Sequence, residues 1–96
     1  MLTSKQKSYL KSMGSTMDSV VQIGKGGISP TVVDSARDAL TKRELIKVRV
    51  LQNSLTEPED AIRELADQTR AELVQVIGRN GLLYKRNPEK PRIELP

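Results

Sequence analysis

One short segment of the chain carries residue types suited to binding phosphate: Ile23-Gly24-Lys25-Gly26-Gly27-Ile28-Ser29-Pro30. Glycine lets a backbone approach a ligand closely and adopt positive φ. Ser29 followed by Pro30 is a helix-start signal, so amides without a partner inside that helix should lie directly after the glycines. The helix dipole favours an anion there, and Lys25 adds a mobile cation. The segment therefore predicts a phosphate site.

Residues 24–27 match Gly-x-x-Gly, the loop that clamps a nucleic-acid backbone in some RNA-binding modules. The pattern occurs twice, because Gly78-Arg79-Asn80-Gly81 also fits. Asn80-Gly81 between two apolar runs indicates a hairpin turn, whereas a helix start follows the first match. A tight strand-to-helix connection without a ligand stays open as the alternative for that first match. A nucleotide-binding P-loop is disfavoured, since the Gly-x-x-x-x-Gly-Lys-Ser/Thr spacing does not occur around Lys25.

The composition excludes several kinds of catalytic and metal site. The 96 residues include no Cys and no His, which removes thiolate ligands, disulfides, the usual general base and the commonest metal ligand. No cofactor and no small-molecule substrate are therefore expected. No apolar run approaches membrane-spanning length and no signal peptide is recognisable, so we expect a cytoplasmic protein that does not bind a membrane.

The net charge of +4 is unevenly distributed along the chain. Residues 1–54 carry nine Lys/Arg and four Asp/Glu, whereas residues 55–96 carry seven and eight. Such asymmetry favours one surface that meets a polyanion and another that stays acidic. A generally basic soluble domain is the alternative.

Sequence periodicity predicts helices and strands in the order αβαβαββ around the phosphate segment. Helix one should begin at the capping box Thr3-Ser4-Lys5-Gln6 and end at Gly14 in a left-handed cap. A second capping box, Thr56-Glu57-Pro58-Glu59, should begin helix three. The other expected ranges are strand one at 20–23, helix two at 30–43, the end of helix three near 71, and strands two, three and four at 45–51, 73–77 and 82–86.

Strand two alternates apolar and charged side chains. Ile46, Val48 and Val50 share one face, and Lys47 and Arg49 share the other. This pattern predicts a sheet that helices cover on one face only, which leaves the other face basic. Protection of an edge strand by charge is the alternative.

Helix three is strongly acidic. The helix dipole accounts for its first-turn acids, and no nucleophile or metal-ligand set accompanies them, so a catalytic carboxylate pair is disfavoured. We expect this helix to face away from a nucleic acid. The acidic residues are Glu57, Glu59, Asp60, Glu64, Asp67 and Glu72.

The last strand and the segment after it carry fewer signals. Tyr84 is the one ring in a predicted strand on which a base could stack, but an ordinary core tyrosine is favoured because strand register alone does not orient the ring. Three prolines indicate an extended tail at 88–96, partly ordered through Ile93 and Leu95. Residues 1–87 are then predicted to form one domain.

Four blocks of this sequence, taken in order, resemble the YhbY-like proteins, bacterial stand-alone versions of the chloroplast RNA splicing and ribosome maturation (CRM) domain. The resemblance covers about residues 2–87. It implies a fold similar to the C-terminal domain of bacterial translation initiation factor three, and binding to ribosomal RNA in precursors of the large subunit. The blocks are Leu2-Thr3-Ser4-Lys5-Gln6, Val20-Val21-Gln22-Ile23-Gly24-Lys25-Gly26-Gly27, Glu44-Leu45-Ile46-Lys47-Val48 and Glu72-Leu73-Val74-Gln75-Val76-Ile77-Gly78-Arg79.

The chain departs from the family pattern at two places. The connector at 14–19 lacks the histidine pair common in the family, which puts any role of those histidines in question here. Arg70 stands at the end of helix three, where relatives usually have glycine, and this puts the geometry of the helix cap in question.

We therefore predict a non-catalytic RNA-binding protein that acts as a monomer and binds ribosomal RNA in large-subunit precursors. The fold class is α/β, in the α+β two-layer sense, with a mixed four-stranded sheet and helices packed on one face. Two other hypotheses stay open: a protein-interaction module that docks a basic ribosomal protein through helix three, and a nucleotide-dependent enzyme that uses the glycine loop. The predicted RNA-binding residues are the loop Gly24, Lys25, Gly26 and Gly27; Lys5, Lys7, Lys11, Lys47, Arg79 and Lys85, which match basic positions of the family; and Arg49 and Arg86.

Overall fold

A computed structural model describes residues 2–96. Its helices and strands follow the predicted αβαβαββ order. The strands form a mixed four-stranded sheet in the order β1-β2-β4-β3, in which β1 and β2 are parallel and the other neighbours are antiparallel. The predicted α+β class and mixed sheet are thus confirmed. The elements are α1 (Ser4–Gly14), β1 (Ser19–Ile23), α2 (Pro30–Arg43), β2 (Leu45–Val50), α3 (Pro58–Thr69), β3 (Glu72–Ile77) and β4 (Asn80–Tyr84).

The main core lies between one face of the sheet and the helices α2 and α3. Ile46, Val48 and Val50 of β2 are fully buried in it, as the alternation of that strand predicted. Burial of so many aliphatic side chains supplies the main driving force for folding. The other buried members are Val21, Ile23, Val33, Ala36, Leu40, Ala61, Ile62, Leu65, Ala66 and Leu83.

Helix α1 lies on the opposite face of the sheet, so the expected placement of helices on one face holds for α2 and α3 and not for α1. Leu10 of α1 is fully buried in a second cluster with Leu45, Leu82 and Tyr84. These sheet residues alternate with Ile46 and Leu83 of the main core, and side chains that alternate along a strand point to opposite faces. Both β2 and β4 carry apolar residues on both faces at this end of the sheet. A second layer must cover them, and α1 does so.

The remaining part of this second face is not covered by a helix. We call this uncovered part the open face, and we assign its residues from strand register and burial. They are Val20 and Gln22 of β1, Lys47 and Arg49 of β2, Asn80 of β4, and Gln75 and Ile77 of β3.

Two of the predicted helix starts are confirmed. The Thr3 capping box is complete, because the N–H of Gln6 donates to Thr3 Oγ1 at 3.1 Å and the N–H of Thr3 donates to Gln6 Oε1 at 3.0 Å. At the start of α2, the N–H of Val32 donates to Ser29 Oγ at 3.3 Å.

The predicted second capping box is wrong. Helix α3 begins at Pro58 after Glu57, and no side chain caps it. Thr56 lies one residue too early because its N–H donates to Ser54 Oγ in a turn that precedes the helix.

Two predictions about glycine are also wrong, and packing explains both. Gly14 is the last residue of α1 and has no positive φ; a Cβ there would lie 2.5 Å from Leu82 Cδ1, so close helix-to-sheet contact requires this glycine. The hairpin turn is Gly78-Arg79, with Gly78 at φ +57, and Asn80 already pairs with Ile77. Strand β4 therefore starts two residues early and ends at Tyr84, not at residue 86.

The chain after β4 forms no helix or strand, as expected of the tail, although the boundary at residue 87 stays a prediction. Ile93 and Leu95 pack against the second cluster beside Tyr84, which is 4% exposed. The preference for a core tyrosine at this position is confirmed.

Candidate nucleic-acid interface

The glycine loop leaves the sheet where strand β1 ends. The N–H of Leu51 donates to the carbonyl oxygen of Ile23 at 2.8 Å, so the loop begins beside the end of β2. Gly27 has φ +67 and its N–H donates to Gly24 O at 3.0 Å, which closes a tight turn. Lys25 and Gly26, inside this turn, are exposed. Among the residues described, their N–H groups make no hydrogen bond and remain available to an acceptor.

Helix α2 begins directly after this turn. Ser29 Oγ accepts one of the N–H groups of the first turn, and the axis of the helix then runs away from the loop. The N-terminus of a helix carries partial positive charge and favours an anion nearby. Unpaired loop amides, the helix end and the Lys25 ammonium therefore all attract an anion at the same end of the sheet.

Arg79 lies at that same end. The N–H of Val50 donates to Arg79 O at 2.7 Å, and Arg79 Nη1 donates to Leu51 O at 3.1 Å. These contacts hold the tip of the β3–β4 hairpin against the end of β2. A guanidinium has five N–H donors, so most of them stay available after this one bond.

Two cations of β2 continue the positive surface across the open face. Arg49 is exposed between Gln22 of β1 and Asn80 of β4, and Lys47 is half-buried two residues earlier. Strands rise about 3.3 Å per residue, so Lys47 lies roughly 10 Å along β2 from the loop end of the sheet. The structure therefore brings Lys47, Arg49 and Arg79 together with the loop.

The three lysines of α1 do not share one position. Lys11 lines a cavity with Lys47, and Lys7 lies one turn earlier on the same side of the helix. Lys5 is exposed. Because an α-helix has 3.6 residues per turn, Lys5 lies about 140° around the helix axis from the buried Leu10. Lys7 and Lys11 therefore flank the open face, whereas Lys5 points away from the sheet.

The structure places Lys85 and Arg86 at the other end of the sheet from the glycine loop. Tyr84 pairs with Leu45, the first residue of β2, and this end lies roughly 16 Å along the strand from Val50. Lys85 Nζ donates to Thr69 O at 3.0 Å and so caps the end of α3. The positive surface predicted to extend from the loop does not reach these two residues, because β4 ends at the opposite pole of the molecule.

The sequence patterns did not point to Glu44, a charged residue that is fully buried in this fold. It ends α2 with φ +65, outside the regions a non-glycine residue prefers. Its carboxylate accepts three backbone hydrogen bonds from the tail: Asn87 N to Oε2 at 2.7 Å, and Arg92 N and Ile93 N to Oε1 at 2.6 and 2.7 Å. Glu44 therefore fixes the path of the tail.

The electrostatics of Glu44 follow from these contacts. Burial acts to raise its pKa, but the N–H donors of Asn87, Ile93 and Arg92 and the charge of Arg86 outweigh burial, so the pKa lies below the ordinary glutamate value. Burial, and then the negative charge of Glu44, raise the pKa of Tyr84. The one sequence signal for a buried role of Glu44 was its position directly before a buried strand. That position does not reveal that the hydrogen-bond partners of its carboxylate lie more than forty residues further along the chain.

Within residues 2–96, no three His, Cys, Asp or Glu side chains group closely enough to hold a metal ion. No helix in the described part of the chain is long and apolar enough to cross a bilayer.

Comparison with known proteins decides the family. The sequence profile of the CRS1 / YhbY (CRM) domain matches residues 2–85. The chain belongs to the CRS1/YhbY (CRM) family. The predicted resemblance is confirmed, and the glycine loop and the open face both lie inside the matched CRM region.

Sequence similarity to named relatives covers all or nearly all of this CRM protein. It is 43% identical to the probable RNA-binding protein YqeI of Bacillus subtilis over 96 residues, which is 100% of both chains. It is 35% identical to an RNA-binding protein of Haemophilus influenzae, covering 99% of this chain and 95% of the relative. None of these names describes an enzyme, which agrees with the prediction of a non-catalytic protein.

A solved structure resembles the CRM fold described above. The solution structure of SAV1595 from Staphylococcus aureus, described as a candidate RNA-binding protein, superposes with a TM-score of 0.82 at 47% identity, covering 100% of both chains. The CRM profile ends at residue 85, whereas these full-length matches include the tail that Glu44 holds.

Proposed function

We propose that this CRM protein binds RNA, without catalysing a reaction, through the Gly24–Gly27 loop and the open face of the sheet. One observation carries the proposal: the unpaired N–H groups of Lys25 and Gly26, the start of α2 and Arg79 lie at one end of the sheet, continuous with the cations of the open face. The names of the relatives agree with this function.

The RNA backbone should supply most of the affinity. Five cations lie on the surface formed by the glycine loop, the open face and its border with α1: Lys11, Lys25, Lys47, Arg49 and Arg79. Tyr84 is buried and is not available for stacking. If about five phosphates are neutralised, the logarithm of the binding constant should fall with the logarithm of the salt concentration at a slope of roughly −3.5 to −4.5.

Helix α3 lies on the other side of the molecule from this surface. It packs on the main core, and the acidic residues of its first turn, Glu59 and Asp60, are exposed there. RNA on the open face would therefore not meet the acidic helix, since the sheet separates the two.

We further propose that the RNA is ribosomal, in precursors of the large subunit, and that the protein acts as a cytoplasmic monomer. The proposal rests on the resemblance to the CRM family, because the glycine loop and several basic residues of this chain match the family's pattern. Crosslinking in cells followed by sequencing of the attached RNA tests it. Recovery of large-subunit ribosomal RNA is the expected result, and a Lys25→Ala variant should recover less of it. A scatter of messenger RNAs, unaffected by the substitution, would contradict the proposal.

A pull-down after nuclease treatment separates this function from docking of a basic protein on α3. RNA binding predicts that ribosomal components are lost once the RNA is digested. Retention of a basic ribosomal protein, abolished by charge-reversing substitutions at Glu59 and Asp60, would instead support the acidic helix as the interaction surface.

A further inference from the structure

A cavity of about 360 Å³ lies between the C-terminal end of α1 and the open face of the sheet. Its volume is at the small end of ligand pockets, which span about 300–1,000 Å³. It fits one compact group and not a length of double helix. Its walls come from the end of α1 with the residue after it, and from strands β2, β3 and β4: Lys11, Gly14, Ser15, Lys47, Gln75, Ile77, Asn80, Gly81 and Leu82.

The cavity combines polar side chains without partners and an apolar floor. Within residues 2–96 the carboxamides of Gln75 and Asn80 make no hydrogen bond, and the ammonium groups of Lys11 and Lys47 have no ion pair. Leu82 is 3% exposed at the floor, whereas Ile77 remains 63% exposed at the side. The cavity thus places apolar surface from Leu82 and Ile77 beside two carboxamides, which is the mixed lining of a site for a flat, apolar ligand with hydrogen-bonding groups at its edge.

Three carboxamides elsewhere are engaged, whereas within residues 2–96 those of Gln22, Gln52 and Asn53 make no hydrogen bond either; what distinguishes Gln75 and Asn80 is that both line one cavity. The side chains of Gln6, Gln68 and Asn87 each donate a hydrogen bond to a protein oxygen. Each carboxamide in the cavity can still offer two donors and an acceptor, the pattern that matches the edge of a nucleobase.

The cavity is continuous with the surface proposed to hold the RNA backbone. Asn80 pairs with Arg49, whose neighbour Val50 is bonded to Arg79 beside the glycine loop. A strand held by the loop and by Arg49 would thus pass the mouth of the cavity, where Lys11 and Lys47 can hold the next phosphate.

We propose that this cavity binds a single unpaired RNA base, read at its edge by Gln75 and Asn80 and packed against Ile77 and Leu82. Extruded bases are recognised in this way in other proteins, by hydrogen bonds to an edge and by packing between apolar side chains. The inference rests on the proposed RNA-binding function and names its substrate class: RNA with an accessible unpaired base, and not continuous duplex.

Binding of short synthetic RNAs tests the inference. The probes are four homopolymeric single strands of equal length, a continuous duplex of the same length, and the best single strand with its central bases removed to leave abasic sites. At one salt concentration, the best single strand should bind about tenfold more tightly than its abasic counterpart, since one well-read base contributes a factor of that order. The duplex should bind as weakly as the abasic strand.

Substitutions assign the effect to the cavity. Gln75→Ala and Asn80→Ala should each reduce the preference among homopolymers several-fold and leave the slope of affinity against salt unchanged, because a carboxamide carries no charge. Gln22→Ala is the matched control, because Gln22 is an exposed carboxamide on the same open face but outside the cavity. It should leave the preference intact.

The outcomes separate this inference from the proposed function. Salt-dependent binding that is equal for intact, abasic and duplex RNA would overturn the base site and leave RNA binding standing. An equal effect of Gln22→Ala and Asn80→Ala would overturn it as well. Absence of salt-dependent binding to every probe would overturn the proposed function itself.

Discussion

Arg79 Nη1 donates a hydrogen bond to the carbonyl oxygen of Leu51 at 3.1 Å, and so joins the tip of the β3–β4 hairpin to the residue that follows β2. Leu51 in turn donates its N–H to Ile23 O, the last carbonyl before the glycine loop. One short path of hydrogen bonds thus connects Arg79 to the start of the loop. These bonds fix the guanidinium of Arg79 relative to the backbone at the start of the loop.

Arg79 should therefore contribute both stability and charge. Arg79→Ala should lower the free energy of unfolding by about 0.5–1.5 kcal/mol through the lost hydrogen bond. It should also reduce the salt slope of RNA binding by about one. Arg79→Lys keeps the charge but not the forked donor geometry, so its slope should stay near the wild-type value. Urea unfolding followed by circular dichroism and RNA titrations at several salt concentrations measure both effects. Wild-type slopes in both variants would show that the charge at this position does not contact phosphate.

Lys25 should contribute charge without stability, because its side chain is exposed and has no partner in the part of the chain that the structure describes. Lys25→Ala should weaken binding to all RNA sequences and reduce the salt slope by about one, with no change in the urea midpoint. Lys42→Ala is the matched control, since Lys42 is paired with Asp38 on the surface of α2. An unchanged slope in Lys25→Ala would remove Lys25 from the interface.

Glu44 should make the attachment of the tail depend on pH. Its pKa is lowered in the folded protein, so the unfolded chain binds the proton more readily. The stabilisation is therefore complete above the unfolded pKa, about 4.3, and is lost as the pH falls through the lower folded value. Glu44→Gln removes this dependence, and at neutral pH it should cost about 1–3 kcal/mol because an NH₂ group then faces backbone donors.

Urea unfolding of both proteins between neutral and acidic pH tests this prediction. The two stability curves should converge as the pH falls below the glutamate range. Glu94→Gln, in the exposed part of the tail, is the control and should run parallel to the wild type. A constant gap between wild type and Glu44→Gln at every pH would show that protonation of Glu44 is not linked to folding.

Arg70 should be a point at which the fold can be stabilised. It caps α3 in the left-handed conformation at φ 58 and ψ 35, where its N–H donates to Asp67 O. A non-glycine residue in this backbone region destabilises the folded state by about 1–2 kcal/mol, and glycine removes that strain. Glycine also makes the unfolded chain more flexible, which offsets about 0.4–1 kcal/mol of the gain. Arg70→Gly should therefore raise the free energy of unfolding by about 0.5–1 kcal/mol, or Tm by roughly 2–8 °C.

The same replacement within α3 provides the comparison. Arg63→Gly lies in the helix interior and should destabilise the protein by about 1 kcal/mol. A decrease in Tm for Arg70→Gly would mean that the arginine side chain makes a contribution larger than the backbone strain. Calorimetry of the two variants and the wild type measures all three values.

The sequence by itself determined the features that depend on residues within one turn or one strand. The Thr3 capping box, the Ser29-Pro30 helix start and the burial of alternate residues in β2 were predictable because their partners lie three residues apart or less. The loop flanked by a strand and a helix follows from the same local patterns.

Tertiary structure alone decided which side of the sheet α1 covers, why Gly14 is glycine, and where the chain turns between β3 and β4. Each depends on contact with an element distant in sequence, such as Leu82 against Gly14 or Ile62 against Gly81. It also decided that Lys85 and Arg86 lie away from the loop, and that the carboxylate of Glu44 holds backbone groups 43, 48 and 49 residues further along the chain. Local patterns carry no information on such pairings, because side chains this far apart in sequence meet only when the sheet and its two covering layers have assembled.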